Sequence, residues 1–207
     1  MRKSKKVELL TELSESLISD SADLYLLFVD LSGSTDYKHN IVSNGLPDTI
    51  WILRQLTFLD RVAKLIRRYG GSVVKTIGDE VFGCFDASTD PNDAFLCAVE
   101  ALKICRNLRS FTGRSRIEAK ASLDVGLTYN GSLADKEDYD PIGTPVDRCA
   151  RLIGIADKNE LIMSDDFHTN LIHSYTKSGK PVRLKLNTRT SNLKGLGSVR
   201  YHRYLVR

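Results

Sequence analysis

Along this chain the spacing of apolar positions changes at clusters of Gly, Pro, Asn and Asp, and those changes mark out its elements. Residues 24–31 are apolar apart from Asp30, a run too short for a helix and read as a fully buried strand. A polar stretch over 36–48 follows, with a turn at Asn44-Gly45 and a helix start at Pro47. Ile50, Leu53, Leu56, Leu59, Val62, Ala63 and Ile66 then recur at helical steps, which predicts a long amphipathic helix stopped by Gly70-Gly71. Residues 73–77 and 81–85 read as strands joined in a tight hairpin at Gly78-Asp79. A second helix starts near Asp93 with Ala94, Cys97, Ala98, Ala101, Leu102, Ile104 and Leu108 inward, and a strand covers 119–129.

Beyond an acidic loop over 130–139 come a helix over 143–156, a short strand over 160–163 and a small helix over 165–173. A hairpin over 182–207 closes the chain. Residues 7–13 mix acids with apolar residues as a short amphipathic helix, so 1–22 is read as a helical extension and 23–207 as one domain. The order strand-helix-strand-strand-helix-strand predicts an α+β, ferredoxin-like antiparallel sheet with helices on one face and a C-terminal hairpin extension.

Composition narrows the function classes. The 42% hydrophobic content supports a sizeable core in a chain of 207 residues, and a net charge of +4 is too mild for a nucleic-acid track. Cys84, Cys97, Cys105 and Cys149 show no metal-ligand spacing and are expected as buried free thiols. No apolar run approaches the roughly 20 residues of a membrane span. A cytoplasmic domain without membrane partners is the expectation.

Two carboxylates carry the chemistry. Asp30 ends the first strand before the turn Ser32-Gly33-Ser34-Thr35, and Asp79 occupies a glycine turn between apolar runs. Hard divalent cations take oxygen ligands and one or two carboxylates, and the Ser/Thr turn exposes N–H groups that can cradle phosphate. Taken singly, each aspartate is a strand end or a type I′ turn residue. A third element changes the balance: Asp147 and Arg151 stand four apart on a helix whose Val146, Cys149, Ala150, Leu152 and Ile153 are apolar. A surface ion pair is the default for such spacing, but a mostly buried helix aims its two charges at something specific.

Phe28-Val29-Asp30-Leu31-Ser32-Gly33-Ser34-Thr35, Lys75-Thr76-Ile77-Gly78-Asp79, the run from Gly143 to Leu152, and Leu193-Lys194-Gly195-Leu196-Gly197 occur in that order. Together they resemble the catalytic domain of the class III adenylate and guanylate cyclases over nearly the whole chain. The resemblance implies that Asp30, Leu31 and Asp79 bind two divalent ions, Mg²⁺ or Mn²⁺. It implies that Lys75 and Asp140 read the base, that Ser34, Thr35 and Lys194 meet the triphosphate, and that Arg151 stabilises the transition state. It further implies a head-to-tail homodimer, with metal aspartates from one subunit and base-reading and helix residues from the other.

Two departures stand out. Asp147 replaces the family's usual ribose-orienting Asn, and the segment between Thr35 and Gly70 is long and carries Trp51, whose indole near the pocket would suit a smaller base. With the Val-Asp-Arg-Cys-Ala-Arg run and no sensor segment in view, the chain looks like the compact pyrimidine cyclases of Pycsar anti-phage systems. Those make cyclic UMP or cyclic CMP for a separate cyclic-nucleotide-binding effector. Lys75 and Asp140 match the adenylate-type pair, which keeps ATP as an alternative. A diguanylate cyclase-like domain is disfavoured because Ile77 replaces a glycine of that hairpin, and a silent nucleotide-binding domain is the non-enzymatic rival.

Overall fold

The computed structural model describes residues 2–18, 20–107, 117–131, 140–179 and 184–206. The elements are α1 (Arg2–Leu17), β1 (Asp20–Leu31), α2 (Ser34–Ser43), α3 (Thr49–Arg68), β2 (Ser72–Ile77), β3 (Glu80–Asp86) and α4 (Pro91–Asn107). They continue with β4 (Ala119–Asn130), α5 (Thr144–Gly154), β5 (Glu160–Ser164), α6 (Asp165–Lys177), β6 (Asn187–Leu193) and β7 (Gly197–Leu205). The expected acidic loop falls mostly on residues 132–139, and Leu108 and the start of the closing hairpin on 108 and 182–183, all outside the described residues.

One seven-stranded sheet runs in the order β2-β3-β1-β4-β5-β7-β6. Its first four strands pair antiparallel in the ferredoxin-like arrangement that the element order predicts. The extension departs from pure antiparallel pairing, because β5 runs parallel to β4 across the α5 crossover before β7 and β6 close the edge.

β1 is buried on both faces, and its alternation divides the core. Tyr25, Leu27, Val29 and Leu31 face a large cluster with Phe58, Val62 and Ile66 of α3, Cys97, Ala101 and Leu102 of α4, and Phe167 and Leu171 of α6. Leu26 and Phe28 face the other way, against Phe82 and against Cys149 and Ile153 of α5. The expectation of helices on one face therefore needs one amendment. It holds for α3, α4 and α6, while α5 covers the opposite face. The start of α5 sits directly on β4, since a Cβ added to Gly126 would meet Pro145 Cγ at 2.6 Å and one on Gly143 would meet the Leu127 carbonyl oxygen at 2.9 Å.

Two readings of individual helices change. The polar stretch after β1 contains α2, a helix that buries only Ile41 and so leaves no apolar period in the sequence. On α3 the buried positions are Arg54, Phe58, Val62, Leu65 and Ile66, whereas Leu53 and Leu56 are 45% and 56% exposed. The inner face is thus rotated from the predicted one and leaves a second apolar stripe in the open.

The four cysteines are free thiols, three of them buried as expected. Burial pushes the Cys97 and Cys105 thiols up to about 12 from the ordinary 9.0. A thiol whose folded value is raised gives stability that is whole below the unfolded value and is lost as pH climbs toward the folded one. The melting temperature should therefore fall steadily between about pH 9 and pH 12. Replacing Cys97 and Cys105 with alanine should flatten that decline; an unchanged slope in the double variant would exonerate the thiols.

Candidate active site

Three adjacent strands place charged residues side by side at one end of the sheet. In register, Asp30 of β1 lies opposite Glu80 of β3 and opposite Lys120 of β4. Asp79 follows in the two-residue hairpin, where Gly78 takes φ 63° and supplies the left-handed turn. Asp79 does not share that positive φ, so the hairpin turn is not of type I′. The Leu31 N–H donates to the Asp79 carbonyl at 3.3 Å, tying the hairpin to the end of β1.

The electrostatics of this row suit a cation. Burial, more than the neighbouring Asp79, raises the Asp30 carboxyl, and Lys120 opposes the rise from 3.3 Å. Glu80 is pushed up to about 7, first by burial and then by the Asp30 charge. Asp30, Asp79 and Glu80 are three carboxylates at one sheet end with the Lys120 ammonium reaching in; their oxygens do not all lie within 4.8 Å of one another, and oxygen donors of this kind are what magnesium or manganese takes. The Leu31 side chain is 2% exposed, so only its main chain could serve as a ligand.

Next to the row, Gly33 at φ 68° starts α2, and the N–H groups of Ser34 and Thr35 stand in its first turn without intrahelical acceptors. Such a turn receives anions. Behind it lies Arg54 of α3, 5% exposed, with its guanidinium 4.4 Å from the Tyr37 ring centroid. Its Nε, the Tyr37 hydroxyl and the Ser32 hydroxyl are buried without hydrogen-bond partners. A buried guanidinium with its Nε unpaired is costly, and an anion reaching it would relieve that cost.

On the α5 face of the sheet a cleft of about 870 Å³ opens between β2, β3 and the start of α5. Phe28 and Phe82, stacked 4.4 Å apart, form its floor. Lys75 and Asp140 meet across it in an ion pair of 2.6 Å, and Asp147 and Glu80 stand on its walls. Ser14, Leu17 and Ile18, from the end of α1 and just after it, border the cleft.

Asp147 and Arg151 are both exposed on α5. Among the described residues no ion pair joins them, so the surface-pair reading of their spacing fails. What fixes the helix is a neighbour. Arg148 donates twice to the fully buried Asp124 of β4 at 2.7 Å and once to Asp166 of α6 at 2.6 Å. That fork sets the rotation of α5 and turns Asp147 and Arg151 outward.

The sequence-predicted residues thus fall into two groups. Asp30, Leu31, Asp79, Ser34 and Thr35 gather at the sheet end, and Lys75, Asp140 and Asp147 around the cleft, with Arg151 one turn beyond. Lys194 lies exposed in the β6–β7 turn, apart from both. Trp51 is not a cleft residue; its Nε1 donates to Asp48 at 2.9 Å and Lys38 sits 4.2 Å over its ring. Sequence reading missed Glu80, Lys120, Arg54 and the Asp124–Arg148 pair. A charge inside an apolar stretch was the available signal for Asp124.

Residues 18–199 match the adenylate and guanylate cyclase catalytic domain family. No curated protein matches the chain in sequence. Among solved structures, the guanylate cyclase domain of RhGC from Catenaria anguillulae, in complex with GTP, superposes with a TM-score of 0.74 at 17% identity, covering 91% of this chain and 100% of that one. The guanylyl cyclase Cya2 gives 0.72 at 22% identity, over 91% and 94% of the two chains. The adenylyl cyclase CyaB from P. aeruginosa gives 0.71 at 19% identity, over 89% and 94%. At these identities the superpositions establish the fold, and among the described residues no helix is long and apolar enough to cross a membrane. With a family match spanning most of its length, the chain belongs to the class III adenylate and guanylate cyclase catalytic domains, which are nucleotidyl cyclases.

Proposed function

We propose that this chain closes the ribose 3′-hydroxyl of a nucleoside triphosphate onto its own α-phosphorus, releasing a 3′,5′-cyclic mononucleotide and pyrophosphate. The observation that carries this is the Glu80–Asp30–Lys120 row with Asp79 beside it, at the mouth of the α2 phosphate turn. Asp30 and Asp79, with the main chain of Leu31, are the residues that would hold two divalent cations, Mg²⁺ or Mn²⁺. Such ions, when bound, neutralise phosphate charge and lower the pKa of an attacking hydroxyl. The amides of Ser34 and Thr35 receive phosphate oxygens, and Lys194, apart from both groups within its own chain, would add positive charge to the triphosphate only across a subunit interface. Lys75 and Asp140 read the base edge over the Phe28–Phe82 floor. Asp147 orients the ribose, and Arg151 shares the charge that grows on phosphorus.

The active unit in this reading is a head-to-tail homodimer. Two features support it: the exposed Asp147 and Arg151 make no side-chain hydrogen bond or ion pair among the described residues, and Leu53 and Leu56 leave an apolar stripe open on α3.

For the base, we propose a pyrimidine, UTP or CTP, on the likeness of the Val146–Arg151 run. The product then serves as an alarm in Pycsar-type anti-phage defence, read by a separate cyclic-nucleotide-binding effector. Trp51 gives this no support, being away from the cleft. ATP is the second reading, favoured by the Lys75–Asp140 pair, since a donor beside an acceptor fits the ring nitrogen and amine of adenine as well as of cytosine. Incubating the protein with ATP, GTP, CTP and UTP plus Mn²⁺ and identifying the product decides the matter. A cyclic pyrimidine nucleotide is expected; cyclic AMP alone would move the assignment to ATP. No pyrophosphate from any of the four would leave a silent nucleotide-binding domain.

Arg54 offers a separate check, because its predicted effects have opposite signs. Arg54→Met removes a buried guanidinium lacking a partner at Nε, so the melting temperature should hold or rise. The KM for nucleotide should meanwhile rise by roughly tenfold, the loss of one charge-assisted contact. Unchanged KM would assign Arg54 to packing alone.

A further inference from the structure

Away from the cleft, the junction of α6 with the last hairpin gathers a second set of ligand-type side chains. Asp165 and His168 stand three apart and share a face at the start of α6, whose N-cap Ser164 accepts from the Phe167 N–H at 3.1 Å. His202 comes from β7, between Met163 of β5 and Thr188 of β6 in register. Its Nε2 lies 2.7 Å from Asp165 Oδ1 and its Nδ1 lies 3.0 Å from Thr188 Oγ1. The His168 ring stacks on it with centroids 3.9 Å apart. One ligand atom from each of Asp165, His168 and His202 falls within 4.8 Å of the other two.

A histidine–aspartate hydrogen bond alone would fasten β7 to α6, but it would not need a second imidazole. His168 brings one, and burial together with the neighbouring His202 holds its ring toward the neutral form, the form that binds metal. Thr188 occupies the far nitrogen of His202, the outer support that metal-bound imidazoles require. His202 is 3% exposed while Asp165 and His168 are half-buried, so the group is walled on one side and open to solvent on the other. Ligand atoms around a tetrahedral zinc ion stand roughly 3.3 Å apart, so the close Asp165–His202 pair must open slightly, and the His168 ring must rotate out of its 26° stack on His202 for both in-plane nitrogen lone pairs to meet one ion. The competitor is Arg200, whose Nε is 3.4 Å from Asp165; its side chain is 61% exposed and free to swing outward.

We propose that Asp165, His168 and His202 bind one divalent transition-metal ion of the zinc class, with water completing the shell. Two imidazoles and a carboxylate select a borderline ion, unlike the all-oxygen group at Asp30 and Asp79, which favours hard cations. The ion would clamp the C-terminal hairpin to α6.

The test uses the full chain stripped of metal and kept free of nucleotide. Zn²⁺ is titrated calorimetrically, and Co²⁺ is followed by its visible absorption. A single equivalent should bind with Kd below about 10 µM, and the melting temperature should rise with added Zn²⁺. His168→Gln, a half-buried change that leaves the His202–Asp165 bond intact, should weaken binding by at least about tenfold and abolish the cobalt spectrum. His173→Gln, on the same helix, should change neither. Absence of Zn²⁺ uptake by the wild type, or equal uptake by the His168 variant, would overturn the site. Because neither readout involves turnover, failure here leaves the cyclase assignment untouched.

Discussion

Asp30→Asn should cut turnover by roughly 10³-fold or more, the several kcal/mol that a lost carboxylate ligand removes from charge stabilisation. The same change should leave the fold intact. Asp30 is wedged between Glu80 and Lys120 on adjacent strands, with Asp79 at the hairpin. A neutral isostere of the same shape relieves the Asp30 repulsion that adds to burial in raising Glu80, at the expense of one contact with Lys120. Stability gains on one side of Asp30 therefore offset losses on the other. Metal-dependent pyrophosphate release and thermal melting, run on the same preparation, separate the two effects. Full turnover in Asp30→Asn would end the carboxylate-pair reading, and a collapsed melting curve would show the row to be structural.

That row illustrates what the sequence could and could not reveal. Asp30 was legible because it interrupts an otherwise apolar strand, and Asp79 because a glycine turn presents it. Glu80 and Lys120 were not, since they meet Asp30 only through cross-strand register, which period-two patterning leaves undetermined. The same limit explains Arg148. Its distance from Asp124 along the chain hides a buried fork that orients the whole of α5. Helix α2 escaped because tertiary position rather than an apolar stripe sustains it, with Ile41 as its one buried residue. On α3, the open leucines at 53 and 56 imitated an inner face, and the buried position between them is a charged one, Arg54. An amphipathic period reports an apolar stripe; it does not say whether the same chain or another copy will cover it. The order of the first four strands, by contrast, followed from element order, because a β-α-β-β-α-β chain with short connections has few sheets to form, while the parallel seating of β5 beside β4 did not.

The uncovered residues on α5 lead to the sharpest test of the shared site. Arg151→Ala should lower turnover by roughly 10²- to 10³-fold, as the loss of one preorganised donor does in comparable charge-stabilised reactions. Its exposed guanidinium supports no described contact in its own chain, so the melting temperature should barely move. If the carboxylates of one subunit work with the Arg151 of the other, mixing Asp30→Asn with Arg151→Ala restores activity that neither variant has. In each mixed dimer one site carries both lesions and the other carries none. Random exchange makes half the dimers mixed, so the mixture should recover about a quarter of wild-type turnover. A site built within one chain could not behave this way, since every copy would still carry a lesion. Mixed dimers demonstrated by tag capture yet inactive would place both residues in the same subunit's site. That outcome would remove the head-to-tail arrangement while sparing the chemistry assigned to each residue.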